Sequence, residues 1–105
     1  MKVYGLKNCD TCRKALKSLP DAVLVDVRAD GVPQTVLEQA FGAFGDDLVN
    51  TRSTTWRQLD DAERSRPKLE LLQAYPTLMK RPLIEKGGAL YLAWSTATRA
   101  ALGVE

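Results

Sequence analysis

Val3-Tyr4-Gly5-Leu6-Lys7-Asn8-Cys9-Asp10-Thr11-Cys12-Arg13-Lys14-Ala15-Leu16 decides the fold. Val3, Tyr4 and Leu6 suit a pleated, half-buried surface, so Lys2 to Leu6 predicts a short strand, weakened slightly by Gly5. Lys7 to Asp10 is a polar turn. Ala15, Leu16 and Leu19 recur at helical spacing, which predicts a helix over Thr11 to Leu19 with Asn8 or Cys9 near its cap. Cys9 and Cys12 therefore form a C-x-x-C pair where a strand passes into a helix. A sulfur there faces unpaired backbone N–H groups and the positive end of the helix dipole, and both favour thiolate over thiol. Cys12, three residues on, is within reach of a disulfide. The geometry makes Cys9 the exposed attacker and Cys12 the more buried resolver.

Pro20-Asp21 closes the helix, and Ala22 to Val27 follows as a near-continuous apolar run. Such a run predicts a parallel strand covered on both faces. Strand, helix, strand is a βαβ unit. Beyond the Asp30-Gly31 turn, Pro33 suits a first helical turn, and Val36, Leu37, Ala40, Phe41 and Phe44 trace an apolar stripe ending at Gly45. Residues 46–79 read as helical and irregular, with a turn around Trp56 and Leu59 and a short helix from Pro67 to Tyr75. Leu83-Ile84-Glu85 and Ala89-Leu90-Tyr91-Leu92 flank Lys86-Gly87-Gly88, a strong hairpin signal. Ser95 caps a last helix holding Ala97, Ala101 and Leu102. The order is βαβ, a helical insert over 46–79, then ββα. That describes one α/β domain over 1–105 with a thioredoxin-like, mixed four-stranded sheet.

Composition narrows the chemistry. The 105 residues carry a net charge of +2 and no histidine. A charge that small argues against direct nucleic-acid binding. The missing imidazole removes the commonest general base and metal ligand, and two cysteines cannot complete a structural zinc site. No apolar run approaches the roughly 20 residues of a membrane span, and the N-terminus lacks a secretory signal. A cytoplasmic monomer without a bound cofactor or metal is the expectation. A nucleophile here must be activated by cations or by a helix dipole.

Two further features bear on that need. In thioredoxin folds a proline before the third strand is cis and faces the active-site cysteine, so Arg81-Pro82 is expected to be cis. Arg52, in the polar loop Thr51-Arg52-Ser53, offers a forked donor set to an oxyanion or carboxylate, although most lone arginines are solvated. Lys7 and Arg13 flank the cysteines and are candidates for stabilising the thiolate.

Asn8-Cys9-Asp10-Thr11-Cys12-Arg13, Asn50-Thr51-Arg52-Ser53-Thr54-Thr55-Trp56 and Lys80-Arg81-Pro82-Leu83-Ile84 resemble the three signature segments of the arsenate-reductase-like ArsC/Spx family, in order and across nearly the whole chain. The second segment is most similar to the YffB-like branch. The resemblance implies that Cys9 matches the family nucleophile. It implies that Arg52 and Arg81 bind an oxyanion or glutathione beside it, with Lys7, Asn8 and Pro82 completing the anion- or glutathione-binding set. It implies a thiol reductase with glutathione as co-substrate, a disulfide or small oxyanion as substrate, and glutaredoxin as a further partner.

Two departures qualify this. Glutathione-coupled arsenate reductases carry a third arginine near residues 91–95, where this chain has Tyr91-Leu92-Ala93-Trp94-Ser95, which argues against arsenate as the substrate. They also have serine at the place of Cys12, whereas Spx-like regulators have C-x-x-C. The alternative is therefore an Spx-like redox regulator that binds RNA polymerase. Such proteins continue past the final helix, and this sequence ends at Glu105.

Overall fold

The computed structural model describes residues 1–104 of the chain. They divide into two compact units: Met1–Asp30 together with the chain from Arg81 onward, and Gly31–Lys80.

The first unit holds strands β1 (Lys2–Gly5), β2 (Val23–Asp26), β3 (Leu83–Lys86) and β4 (Ala89–Leu92), and helices α1 (Asp10–Ser18), α2 (Val27–Asp30) and α7 (Thr96–Ala101). The sheet runs β2-β1-β3-β4. β1 pairs parallel with β2, placing Val3 against Leu24, and antiparallel with β3, placing Val3 against Ile84. β3 and β4 form the expected hairpin, with Ile84 opposite Tyr91. Gly87 and Gly88 both turn it with positive φ, at 57° and 82°, a conformation that costs glycine little. This is the mixed four-stranded, thioredoxin-like sheet that the element order predicts. Val3, Ala15 and Ile84 are fully enclosed, with Leu19 and Leu102 closing the cluster. Burying side chains of the Val3 and Ile84 type contributes about 1.5–3 kcal/mol each.

β2 is not covered on both faces, contrary to what its apolar run predicts. β2 is an edge strand, and Val23 is 64% exposed. The strand enclosed on both faces is β1, where Val3 and Tyr4 are buried between two neighbours. Apolarity in β2 reflects partial cover of a strand paired along one edge only, not a central position. β2 also stops at Asp26, because the Asp26 carboxylate accepts hydrogen bonds from the N–H groups of Arg28 (2.9 Å) and Ala29 (3.3 Å). That local bond starts α2 where the sequence suggested a continuing strand and then a turn.

The second unit holds α3 (Gln34–Phe44), α4 (Thr54–Gln58), α5 (Asp61–Arg64) and α6 (Lys68–Ala74), with single 3₁₀ turns at Gly45–Leu48 and Pro76–Leu78. It therefore takes in α3 as well as the 46–79 stretch. α3 buries Val36, Leu37 and Ala40 and packs against α6, which buries Leu71 and Leu72. An isolated antiparallel bridge joins Val49 to Met79 in a stretch expected to lack strand pairing.

Candidate active site

The polypeptide turns at Leu6–Cys9, where the Cys9 N–H donates to the Leu6 carbonyl at 3.3 Å, and enters α1. Cys9 is the N-cap residue, with extended backbone at φ −92° and ψ 119°. Arg13 closes the loop from outside: its Nε donates to the Lys7 carbonyl at 3.0 Å, and its guanidinium lies 3.6 Å from the exposed Asp10 carboxylate. Arg13 is thus engaged with the loop backbone and Asp10. Lys7 and Asn8 are exposed on the same turn.

The two sulfurs differ in environment. Cys9 is part-exposed and Cys12 is fully buried, and both are free thiols. Partial burial pushes the Cys9 thiol up, but this is outweighed. The backbone N–H and the thiol of Cys12 act as donors towards Cys9, and the Arg81 guanidinium adds a further donor and a positive charge, so the pKa ends below the ordinary 9.0. The Cys9 side chain makes no capping hydrogen bond of regular helix geometry, yet the amide of Cys12 still favours its charge. Cys12 moves the other way, to about 11. Burial is the main cause. Donation of its proton to Cys9 and the Cys9 charge raise it further, against the Leu6 N–H and the Arg81 charge, which lower it. One thiol is poised to ionise while its neighbour keeps the proton.

Arg81 is part-buried, and the Arg81-Pro82 bond is cis, as expected for this place in the fold. Pro82 is buried, and its carbonyl accepts from the Ala93 N–H at 2.8 Å. β1, which precedes the Cys9 loop, and β3, which follows Pro82, are hydrogen-bonded neighbours. That pairing explains how Cys9 and Arg81, far apart in the chain, converge. The structure thus brings together Cys9, Cys12 and Arg81, with Pro82 next to Arg81 in the chain.

Gly5 carries a role that the sequence reading missed. A Cβ placed on it would overlap Cys12 Sγ, and would sit 3.3 Å from Cys12 Cβ. The residue that weakens β1 as a strand is the one that leaves room for the second sulfur. Glycine at the end of an otherwise apolar strand, just before the C-x-x-C loop, is the signal that could have revealed it.

Arg52 belongs to the second unit and is exposed. Its N–H donates to the Asn50 side chain at 3.0 Å, and Asn50 is tied by its own N–H to the Leu78 carbonyl at 2.9 Å. Ser53 caps α4, accepting from the Trp56 N–H at 3.1 Å and donating to the Asn50 carbonyl at 2.7 Å. Arg52 and Lys80 share a polar cavity of about 500 Å³ with Asp46, Asp47 and Asn50. Among the described residues, no cluster of cysteine and carboxylate side chains could hold a metal ion. Among the described residues, no helix is long and apolar enough to cross a membrane.

The model of the ArsC family matches residues 4–101. The chain belongs to the ArsC family. An uncharacterized protein of Haemophilus influenzae is 45% identical, over 89% of this chain and 90% of its own length. The solved structure of a YFFB protein superposes with a TM-score of 0.84 at 30% identity, covering 95% of this chain and 96% of that one. An arsenate reductase (ArsC) related protein from Brucella melitensis gives 0.69 at 31% identity, covering 95% and 91%. Membership of this family supports a thiol-dependent, oxidoreductase-like role.

Proposed function

We propose that this ArsC-family protein is a glutathione-dependent thiol–disulfide oxidoreductase whose nucleophile is the Cys9 thiolate. The observation that carries the reading is the placement of the two thiols, Cys9 part-exposed at the N-cap of α1 beside Arg81 and Cys12 fully buried next to it, which favours the charge on Cys9 and disfavours it on Cys12. The thiolate is the attacking form. Cys9 attacks one sulfur of a disulfide RS–SR′. The S–S bond breaks, R′S⁻ leaves and takes a proton from solvent, and a Cys9–SR mixed disulfide forms.

Forming that bond removes the charge on Cys9, and with it two of the causes that hold Cys12 protonated. Cys12 is then easier to ionise than before the attack. Its thiolate displaces RS⁻ and closes a Cys9–Cys12 disulfide, or external glutathione attacks the adduct instead. Two glutathione molecules, oxidised to one glutathione disulfide, restore the dithiol. Arg52 and Arg81 are assigned, by the family resemblance, to an anionic group of the substrate or of glutathione.

The relatives described as arsenate reductase related suggest an oxyanion as an alternative substrate. Tyr91-Leu92-Ala93-Trp94-Ser95, without an arginine, favours the disulfide. Mass spectrometry after oxidation with glutathione present tests the proposal. A glutathione adduct on Cys9, lost in Cys9→Ser and accumulating in Cys12→Ser, is expected. Adducts on Cys12 alone, or none with full retention of both thiols, would overturn it. The paired thiols also suit an Spx-like redox switch. Capture of RNA polymerase that changes with oxidation, without turnover of any disulfide, would favour that reading.

A further inference from the structure

Beside α1 lies a trough whose charged lining is met by no ion pair among the described residues. Thr11, Lys14, Lys17 and Ser18 from α1, Trp94, and Arg99 from α7 line an open space of about 460 Å³. Its charged lining is all positive. Among the described residues, none of Lys14, Lys17 and Arg99 takes part in an ion pair, although the other cation of α1, Arg13, does. The whole chain carries only +2, so this is a local concentration of charge.

The trough is also tied to the sulfur site. Trp94 packs on the core cluster that contains Ala15 of α1, and it follows Ala93, whose φ of 65° lies in the left-handed region. A non-glycine residue held there by its surroundings is characteristic of functional positions. The hydrogen bond from the Ala93 N–H to the Pro82 carbonyl joins that turn to the cis-proline beside Arg81. Thr11, at one end of the trough, lies within the C-x-x-C sequence itself.

We propose that this trough docks an acidic segment, with an apolar side chain for Trp94, on the protein whose disulfide Cys9 attacks. Cations distributed over a helical turn of α1 and a second helix suit several carboxylates along a polypeptide better than one compact anion. A nucleic acid would need a broader basic surface than a chain of this net charge presents. The inference takes from the proposed function only that the partner bears a disulfide.

The test is direct binding, read without thiol exchange. A short fluorescein-labelled peptide rich in glutamate and leucine is titrated by anisotropy at low and physiological salt, using Cys9→Ser protein. Lys14→Glu with Lys17→Glu is expected to weaken binding by roughly tenfold or more, with salt weakening the parent protein alike. Lys2→Glu with Lys86→Glu changes net charge equally at two exposed strand residues outside the trough lining and is expected to change affinity less than about twofold. Trp94→Leu, which keeps the apolar packing, is expected to weaken leucine-containing peptides more than leucine-free ones. Equal losses in both double variants, absence of peptide binding, or tighter binding of a single-stranded oligonucleotide of equal charge would overturn it. Failure of the thiol chemistry with salt-sensitive, Lys14/Lys17-dependent binding intact would sink the proposed function and leave the docking surface standing.

Discussion

Gly5→Ala is the sharpest perturbation of this fold. In an ordinary strand it would be neutral to stabilising, because alanine loses less backbone entropy, a gain of about 0.4–1 kcal/mol. Here the new methyl overlaps Cys12 Sγ and also lies 3.3 Å from Cys12 Cβ and 3.8 Å from a Leu24 methyl. Cys12 is fully buried, so its sulfur can move only by displacing packed neighbours. Overpacking of this kind costs about 1–3 kcal/mol. Subtracting the entropic gain leaves a net loss of about 1–2 kcal/mol, or several degrees in Tm for a domain this size. Cys12→Ala removes the overlapped atom. The assay is a double-mutant cycle by urea denaturation under reducing conditions, with Gly5→Ala measured in the parent and in Cys12→Ala. The expected coupling is about 1–2 kcal/mol, with Gly5→Ala close to neutral in the Cys12→Ala background. Equal destabilisation in both backgrounds, or none in either, would refute the claim that Gly5 makes space for the second sulfur.

Other outcomes follow from the same geometry. Arg81→Gln removes the cation acting on Cys9, so alkylation by iodoacetamide at neutral pH should slow, and an unchanged rate would remove Arg81 from the site. The folded-state pKa of Cys12 is raised to about 11 from an ordinary 9.0; its contribution to stability is therefore complete below pH 9 and declines as pH rises towards 11, and this decline should be absent in Cys12→Ala when urea midpoints are compared across that range. Ser53→Ala breaks the cap of α4 and should cost about 1 kcal/mol by thermal denaturation, with Ser53→Asp costing less. Arg52→Lys keeps the charge but loses the fork, so KM for glutathione should rise while the Cys9 alkylation rate stays constant.

How much of this was legible varied with how local the cause was. The C-x-x-C loop, the Gly87-Gly88 hairpin and the Ser95 cap rest on neighbours in the chain, and each is where the sequence put it. Ser95 accepts from the Thr98 N–H at 3.1 Å, as a cap should. α5 was missed although its signal was local. Asp60 accepts from the Glu63 N–H at 2.8 Å, and Asp60 with Glu63 three residues on matches the capping-box pattern. The edge position of β2 depends on strand order, which apolarity along one strand does not encode. Gly5 and Ala93 were opaque for the same reason, since each is explained by an atom distant in sequence: Cys12 Sγ for one, the Pro82 carbonyl for the other. Lys7 and Arg13 were candidates by their place beside the cysteines, whereas Arg81 rested on the family resemblance; the pairing of β1 with β3 is the physical reason Arg81 reaches Cys9.

The central claim is that one thiol ionises early because Arg81 and the start of α1 hold its charge, while its neighbour does not. Thiolate absorbance followed across pH on the reduced protein measures it directly. Two separated waves are expected, the first below 9.0 and lost in Cys9→Ser, the second near 11. A single transition at or above the value of free cysteine, involving both sulfurs together, would contradict the account.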